Sequence, residues 1–543
     1  MKLDETLYNN YIIAQKDNRL KVALYTRDNE VITHNRLIEE VDKTAAGLLS
    51  YKTNSNFKIG IISSSSYEEA VFLLAASKIG AVSKFIDFTK NITEICESIT
   101  ESSISVLVMG AEFLPMEQFI NPANLPVIVL GNMPINRQNC CSYQDFLNNV
   151  VENSLPAAQY KKDSCAVIIN SSGTTGTPKP IELSDYALNS AVEKISKTDY
   201  PLNNNNLILK IVPSHIGMGL ITTLYTGLII GIPVIYLGGN SPTETIDLFV
   251  KFINEYDLFL KNKQLSPDTK LLIFGSPLFF RAMLQLVDHI QDFSFIACML
   301  AGGSAMSKEE LEIMDTTFGS KGCTVPVLNG YGQNEMAGAV TLNQIHLNRR
   351  GSAGTPVVGT DILIVDISSG KPLQRNKAGL ILERSESLFS MYENMEEETR
   401  KSFILSEQGE KWFNTHDIGY LDDDGFLFIT GRTSRIIIRF DVKVSLDKIE
   451  SKIRESKYVK EVGVIAINDV PYDSPLAFVT FNDEYITENI LPEKILDDIQ
   501  TGPNPLNELE MVKSVLIVNS IPYRSAGKID YRALEKMAEE ATQ

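Results

Sequence analysis

The chain has 543 residues, too many for one ordinary core, so several lobes are expected. A hydrophobic content of 44% and a charged content of 22% are those of a soluble globular protein. A formal charge of −18 excludes a general nucleic-acid binder, which needs a basic face.

The opening residues Met1-Lys2-Leu3-Asp4-Glu5-Thr6 hold no apolar run, so no signal peptide is expected. Strand and helix patterns then alternate: strand Val22 to Tyr25, helix Asn35 to Tyr51, strand Lys58 to Ile62, helix Tyr67 to Ile79, strand Ile104 to Met109. Leu37, Val41, Ala45, Leu48 and Leu49 share one face of the first helix. Such alternation argues for parallel sheets in an α/β fold. Asn132 to Ser142 reads as a surface turn region.

The apolar run Ala166 to Ile169 reads as a buried strand, followed by Asn170 and then Ser171-Ser172-Gly173-Thr174-Thr175-Gly176-Thr177-Pro178-Lys179-Pro180. Gly173 and Gly176 permit tight turns that bring N–H groups to a ligand. Five hydroxyls and one ammonium are chemistry suited to a polyphosphate. This is neither G-x-x-x-x-G-K-[ST] nor G-x-G-x-x-G, and a turn-rich surface loop reads equally well locally. The most apolar window, Leu220 to Leu237, is broken by Thr222, Thr223, Thr226, Gly227, Gly231 and Pro233. It therefore reads as a buried helix and a strand, with no stable membrane insertion.

Further strands are expected at Lys270 to Phe274 and Phe295 to Leu300, the second ending in Ala301-Gly302-Gly303-Ser304. Small residues at a strand's carboxyl end let a ligand approach the backbone, although an ordinary turn has the same composition. In Asn329-Gly330-Tyr331-Gly332-Gln333-Asn334-Glu335, an aromatic ring between glycines can stack on a flat heterocycle, and the carboxylate can hold Mg²⁺. From Gly359 to Phe440 strands alternate with polar turns, and Asp422 to Gly425 is a hairpin signal. Asp417 can accept from a ribose diol or cap a turn, and His416 beside it reads as packed. From Arg432 to Lys460 nine basic residues face four acids, which suggests an anionic partner or a solvated helix face. A small α+β unit follows, with helices 445–456 and 492–499 and strands 462–467, 475–481 and 512–518. A boundary near Ser434 divides residues 1–432 from 433–543. Ser525-Ala526-Gly527-Lys528 is a loop that displays a lysine. The six cysteines form no C-x-x-C pair and the five histidines are scattered, so no zinc site and a reducing, cytoplasmic setting are expected.

In order and spacing these stretches resemble the adenylate-forming superfamily of acyl- and aryl-CoA synthetases, adenylation domains and luciferases. The resemblance spans nearly the whole chain. Ser171 to Lys179 resembles its phosphate loop, Ala301 to Ala305 its Gly-Gly turn, and Asn329 to Glu335 its Tyr-Gly-x-Thr-Glu motif. Thr415 to Asp417 resembles its ribose motif, Gly431-Arg432 its hinge region and Ser525 to Lys528 its catalytic-lysine loop. The resemblance implies an α/β fold: a large N-terminal domain of stacked αβα layers with a small β-barrel-like subdomain, plus a small mobile α+β C-terminal domain. It implies an acyl-adenylate made from ATP with Mg²⁺, then transfer to a thiol, either CoA or the phosphopantetheine of a carrier protein in trans.

By that resemblance Lys528 and Lys179 supply charge, Ser171, Ser172, Gly173, Thr174, Thr175, Gly176 and Thr177 hold phosphates, and Glu335 with Thr175 binds the metal. Gly303, Gly330, Tyr331, Gly332 and Asn334 surround the nucleotide, Asp417 and Arg432 take the ribose, and Ser434 is the hinge. His215, Ile216, Gly217, Met218, Gly302, Met336, Ala337 and Gly338 belong to the acid pocket, with no catalytic part given to His215. No Asp or Glu occurs between Asp199 and Glu244, which favours an acid without an α-ammonium group. Four positions depart from the family pattern: Pro180, Asn334, Ser434 and Asp441. The last two favour a carrier protein slightly. Pro180 and Asn334 motivate the alternative of a non-catalytic nucleotide-binding subunit. An amino-acid-activating domain also remains open, because another segment can bring a carboxylate to the pocket.

Overall fold

The computed structural model describes the chain except residues 1, 53–55, 132–134, 151–154, 156, 172–177, 305, 407–408, 440–441, 469–471, 486–490, 503–504, 524–527 and 543, and the side chains of 443, 483, 541 and 542. Two compact units emerge. One comprises the chain up to Asp361 together with Arg384–Lys401; the other comprises Ile362–Glu383 and Ser402–Gln543.

The first unit contains two large, mostly parallel sheets. The eight-stranded sheet runs, edge to edge, Met391–Tyr392, Pro180–Ser184, Cys165–Asn170, Val82–Phe85, Lys58–Ile62, Val106–Gly110, Val127–Leu130 and Cys140–Ser142. The nine-stranded sheet runs Thr355–Pro356, Gly338–Leu342, Val327–Gln333, Ile296–Gly302, Leu271–Gly275, Leu207–Lys210, Val234–Tyr236, Val22–Tyr25 and Val31–Thr33. The central strands are continuous apolar runs, because a parallel sheet covered on both faces leaves no polar side. Helix Glu68–Ile79 is buried along its whole length: the apolar stretch Ala70–Ala76 is covered all round, and Glu68, Glu69 and Lys78 are buried at its two ends. Helix His34–Leu48 starts at Thr33, whose hydroxyl caps the Arg36 N–H. The expected turn region before Ser142 ends instead in Cys140–Ser142, an edge strand paired in parallel with Val127–Leu130. Among the described residues no helix is long and apolar enough to cross a membrane.

In the second unit the strand pair Lys411–Leu421 and Leu427–Arg432 forms the hairpin expected around Asp422 to Gly425. It belongs to a five-stranded sheet. Further on, Val459–Ile467, Ser474–Phe481 and Ser514–Ile517 form a three-stranded sheet. Its period-two pattern divides cleanly. Val462, Val464, Ala477 and Val479 pack in one core with residues of helices Leu446–Arg454 and Pro492–Thr501. Ile465, Leu476 and Phe478 pack on the other face with Leu534 and Ala538 of the last helix. The basic stretch after Arg432 is largely consumed inside this unit: Arg435 pairs with Asp447 and Glu450, Lys448 and Lys452 with Glu510, and Arg454 with Glu450.

Candidate active site

The sequence places its candidate residues of the first unit at the carboxyl ends of parallel strands, where open α/β sheets bind ligands. Strand Cys165–Asn170 leads to the glycine-rich loop. The neck of that loop is closed by Ser171 N–H to Lys179 O (2.8 Å) and Lys179 N–H to Ser171 Oγ (2.9 Å). Ser172 to Thr177 lie outside the described residues. Pro180 is the first residue of strand Pro180–Ser184, a position where a missing N–H is tolerated, and its carbonyl accepts from Glu393 N–H at 2.8 Å. The family's glycine is thus replaced at a strand-start position that tolerates proline and keeps its carbonyl bond.

Strand Val327–Gln333 ends beside a short helical turn, Asn334–Met336. Gly332 is obligatory there: a Cβ would lie 2.0 Å from the Gly338 carbonyl oxygen. Ala337 closes the turn with φ +52, a left-handed conformation that fixes the direction of the chain. The Tyr331 hydroxyl accepts from Gln333 Nε2 at 2.8 Å. Asn334 donates to the Asn170 carbonyl (2.7 Å) and accepts from Gly217 N–H (3.2 Å). Gly303, just past strand Ile296–Gly302, has φ +99 and open space where a side chain would stand.

The acid-pocket segment follows strand Leu207–Lys210. It opens with a buried charge cluster: Ser214 donates to Glu69 at 2.6 Å, and Lys210 lies 3.3 Å from the same carboxylate. The His215 ring is buried, 3.2 Å from Asp87 and edge-on to Phe88. Burial pushes the His215 pKa down, against the opposing charge of Asp87. For Asp87 burial acts upward, but His215 and two hydrogen bonds from Thr89 outweigh it and lower the carboxyl. The expected helix after Gly217 begins as a π-helix, Met218–Tyr225, in which Thr223 and Thr226 hydroxyls donate to carbonyls five residues back. The Met218 methyl lies 2.6 Å from where a Cβ on Gly302 would stand. Met336 and Ala337 are buried.

Segment Arg384–Lys401, which the sequence marks only as part of a strand-and-turn region with no candidate residue, reaches these motifs. Phe389 N–H donates to the Glu335 carbonyl (2.7 Å), and Met391–Tyr392 pairs with strand Pro180–Ser184. The Tyr392 hydroxyl donates to Glu335 Oε1 at 3.1 Å, while the Lys179 ammonium sits 4.8 Å over its ring. Burial pushes the Tyr392 phenol far up, and Glu335 adds to it. Lys179 also lies 3.1 Å from Glu398. Glu393 anchors the segment, accepting from Lys58 (2.5 Å) and Ser102 (2.5 Å) with Lys84 at 3.3 Å. Among the described residues no cluster of three or more His, Cys, Asp or Glu is poised for a metal. Glu335 fits Mg²⁺, which takes one or two carboxylates plus phosphate and water oxygens rather than an all-protein cage.

In the second unit Asp417 is buried and faces Arg432 across the hairpin, Arg432 Nε lying 2.8 Å from Asp417 Oδ1. Thr415 donates to the Ile381 carbonyl at 2.8 Å and accepts from Asp417 N–H at 3.0 Å, which aims the carboxylate. His416 is exposed, not packed: its φ of +59 turns its side chain out between two buried neighbours. Ser434 is exposed on a 3₁₀ turn, Thr433–Arg435. Lys528 follows residues outside the described set, and the ends of its loop are pinched by a Tyr523–Ile529 bridge and an Asp530 N–H to Pro522 bond of 2.8 Å. Asp441 is outside the described residues.

Residues 13–393 match the family model described as AMP-binding enzyme. The chain is 23% identical to the putative acyl–CoA ligase YdaB of Bacillus subtilis, over 98% of this chain and 99% of the relative. It is 25% identical to 4-coumarate–CoA ligase 2 of Nicotiana tabacum, over 90% of this chain and 86% of that enzyme. The crystal structure of ATP-bound MatB from Rhodopseudomonas palustris superposes with a TM-score of 0.81 at 20% identity, covering 99% of this chain and 100% of that one. The chain belongs to the AMP-binding enzyme family, within the adenylate-forming superfamily.

Proposed function

We propose that the enzyme activates a small aryl or short-to-medium acyl acid without an α-ammonium group, and passes the acyl group to the thiol of CoA. The observation that carries this reading is the charge of the pocket segments. Ile216, Gly217, Met218, Gly302, Met336, Ala337 and Gly338 bring no carboxylate. The carboxylates that approach from other segments already have partners: Asp87 has His215 and Thr89, and Glu69 has Ser214 and Lys210. A buried ammonium without its own carboxylate is costly, so an amino acid is disfavoured.

In the reaction a carboxylate oxygen bonds to the α-phosphorus of ATP while the bond to the pyrophosphate oxygen breaks. Two anions meet, so alignment and charge neutralisation dominate. Lys179 and the glycine-rich loop would hold the leaving pyrophosphate. Asp417, braced by Arg432, would accept from the ribose hydroxyls, and Tyr331 would stack on adenine. Glu335 would hold Mg²⁺, which neutralises phosphate charge when bound. Lys528 would stabilise charge between carboxylate and α-phosphate. Residues 1–432 would form the adenylation core, and residues 433–543 a C-terminal domain turning about Ser434 between half-reactions. The relatives named as CoA ligases support CoA over the carrier protein that Ser434 and Asp441 suggested. Asn334 satisfies both ends of its amide and Pro180 keeps its carbonyl bond to Glu393, which speaks against a non-catalytic subunit.

Pyrophosphate–ATP exchange against aryl, acyl and amino acids tests the reading. Exchange is expected with benzoate-like or short aliphatic acids. Exchange with amino acids alone would overturn the pocket assignment, and exchange with none would overturn turnover itself. CoA and a phosphopantetheinylated carrier, offered to the loaded enzyme in parallel, separate the two acceptors.

A further inference from the structure

Asn334 joins three stretches that lie far apart in the sequence. Its side chain is an amide with one donating and one accepting end, and its two partners fix the orientation. The Asn170 carbonyl only accepts, so Nδ2 faces it at 2.7 Å; the Gly217 N–H only donates, so Oδ1 faces it at 3.2 Å. Asn170 is the last residue of the strand that feeds the phosphate loop, one residue before the Ser171–Lys179 neck. Gly217 lies between Ile216 and Met218 of the acid-pocket segment. Asn334 itself cannot drift. Gly332 is pressed against the Gly338 backbone before it, and Phe389 N–H holds the Glu335 carbonyl after it at 2.7 Å.

We propose that Asn334 is a positioning residue that couples the acid pocket to the base of the phosphate loop, so that binding at one site changes binding at the other. The inference rests on the nucleotide-binding reading given above. A threonine, the residue usual at this place in the resembling motif, offers a single oxygen one bond nearer the backbone. The amide instead spans two backbones with a separate group for each. A shift of Gly217 on seating an acid tilts the amide and pulls the Asn170 carbonyl. A shift of the loop base travels back by the same route. Binding free energies coupled in this way are reciprocal.

The test needs no knowledge of the acid. Hydrogen–deuterium exchange is followed with MgATP as the only ligand, in the full chain and in Asn334→Leu and Asn334→Asp. Leucine keeps the size and removes both bonds; aspartate keeps the acceptor for Gly217 and loses the donor to Asn170. In the wild-type chain MgATP is expected to slow exchange both in the loop peptide and in residues 211–220. In either variant the loop peptide is expected to keep its response while residues 211–220 lose theirs. A response of residues 211–220 that persists in the variants overturns the coupling, as does its absence in the wild type while the loop peptide responds. No slowing at the wild-type loop overturns the nucleotide reading and the coupling with it. The wild-type arm stands even where a variant does not fold.

Discussion

Lys179 Nζ lies 3.1 Å from Glu398 Oε2, with both side chains about a third exposed (35% and 39%). The lysine's bond and charge hold the Glu398 carboxyl below its ordinary range. A nucleotide phosphate that engages Lys179 therefore competes with a carboxylate already facing it. Lys401 lies 3.5 Å from Glu398 and shares that negative charge. Glu398→Gln removes the competitor and leaves Lys179 in place. The expected outcome is a KM for ATP lower by a few-fold, on the scale of an exposed ion pair, with kcat unchanged. The difference should shrink as salt screens the pair. Pyrophosphate exchange at graded ATP and two ionic strengths measures it. An unchanged or raised KM would mean that Glu398 supports the lysine rather than competing for it.

A second relationship brackets Ser434. The Asp447 carboxylate accepts from the Arg432 N–H at 3.0 Å, on one side of the hinge candidate, and pairs with the Arg435 guanidinium on the other. Gly431 permits this approach, since a Cβ there would stand 2.8 Å from Ser445 Oγ. If residues 433–543 turn about Ser434, this brace must open. Asp447→Ala leaves Arg435 its partner Glu450 at 3.0 Å, so the fold is expected to survive at a cost of about 2 kcal/mol, the scale of hydrogen bonds lost to a charged group. The measurement is limited trypsin digestion followed by mass mapping. Cleavage within 432–448 is expected to quicken in the variant, together with a modest fall in melting temperature. Equal cleavage rates would show that Asp447 does not restrain the turn.

The parallel strands were readable from the sequence because burial on both faces makes them continuous apolar runs, as at Lys58–Ile62 and Leu271–Gly275. The C-terminal sheet was readable for the opposite reason, its alternation between two cores. Local turns of fixed chemistry, such as Asp422 to Gly425, carried their own signal. What escaped was long-range. Tyr392, Glu393 and Glu398 sit in an acidic, aperiodic stretch, and nothing local announces that the chain returns there to strand Pro180–Ser184. Asp87 meets His215 only because two strands of different sheets end near each other. His416 misled because a buried sequence neighbourhood does not reveal a positive φ at one position. The basic run after Arg432 misled because charge counts omit partners such as Glu510, some sixty residues away in sequence.

Asp185 supplies a prediction about pH. It opens helix Asp185–Ser196, is buried, and accepts from Leu7 N–H at 2.8 Å, with a further bond from Ser77. Burial pushes its carboxyl up to about 6 despite these bonds. The folded chain thus holds this proton more tightly than the unfolded chain, whose carboxyl titrates near its ordinary value of about 4. Stability from protonation is fully present below about pH 4 and is lost as pH rises through about 6. Asp185→Asn keeps an oxygen for Leu7 N–H and removes the charge. The variant is expected to match the wild type near pH 4 and to exceed it above pH 6, by at most about 3 kcal/mol. Other carboxylates titrate in the same window, so the quantity to measure is the difference in melting temperature between variant and wild type from pH 4 to 7.5. That difference should grow through the window and then level. A flat difference would mean that Asp185 is ionised at little cost, and that its docking of the N-terminal helix at Leu7 does not depend on its proton.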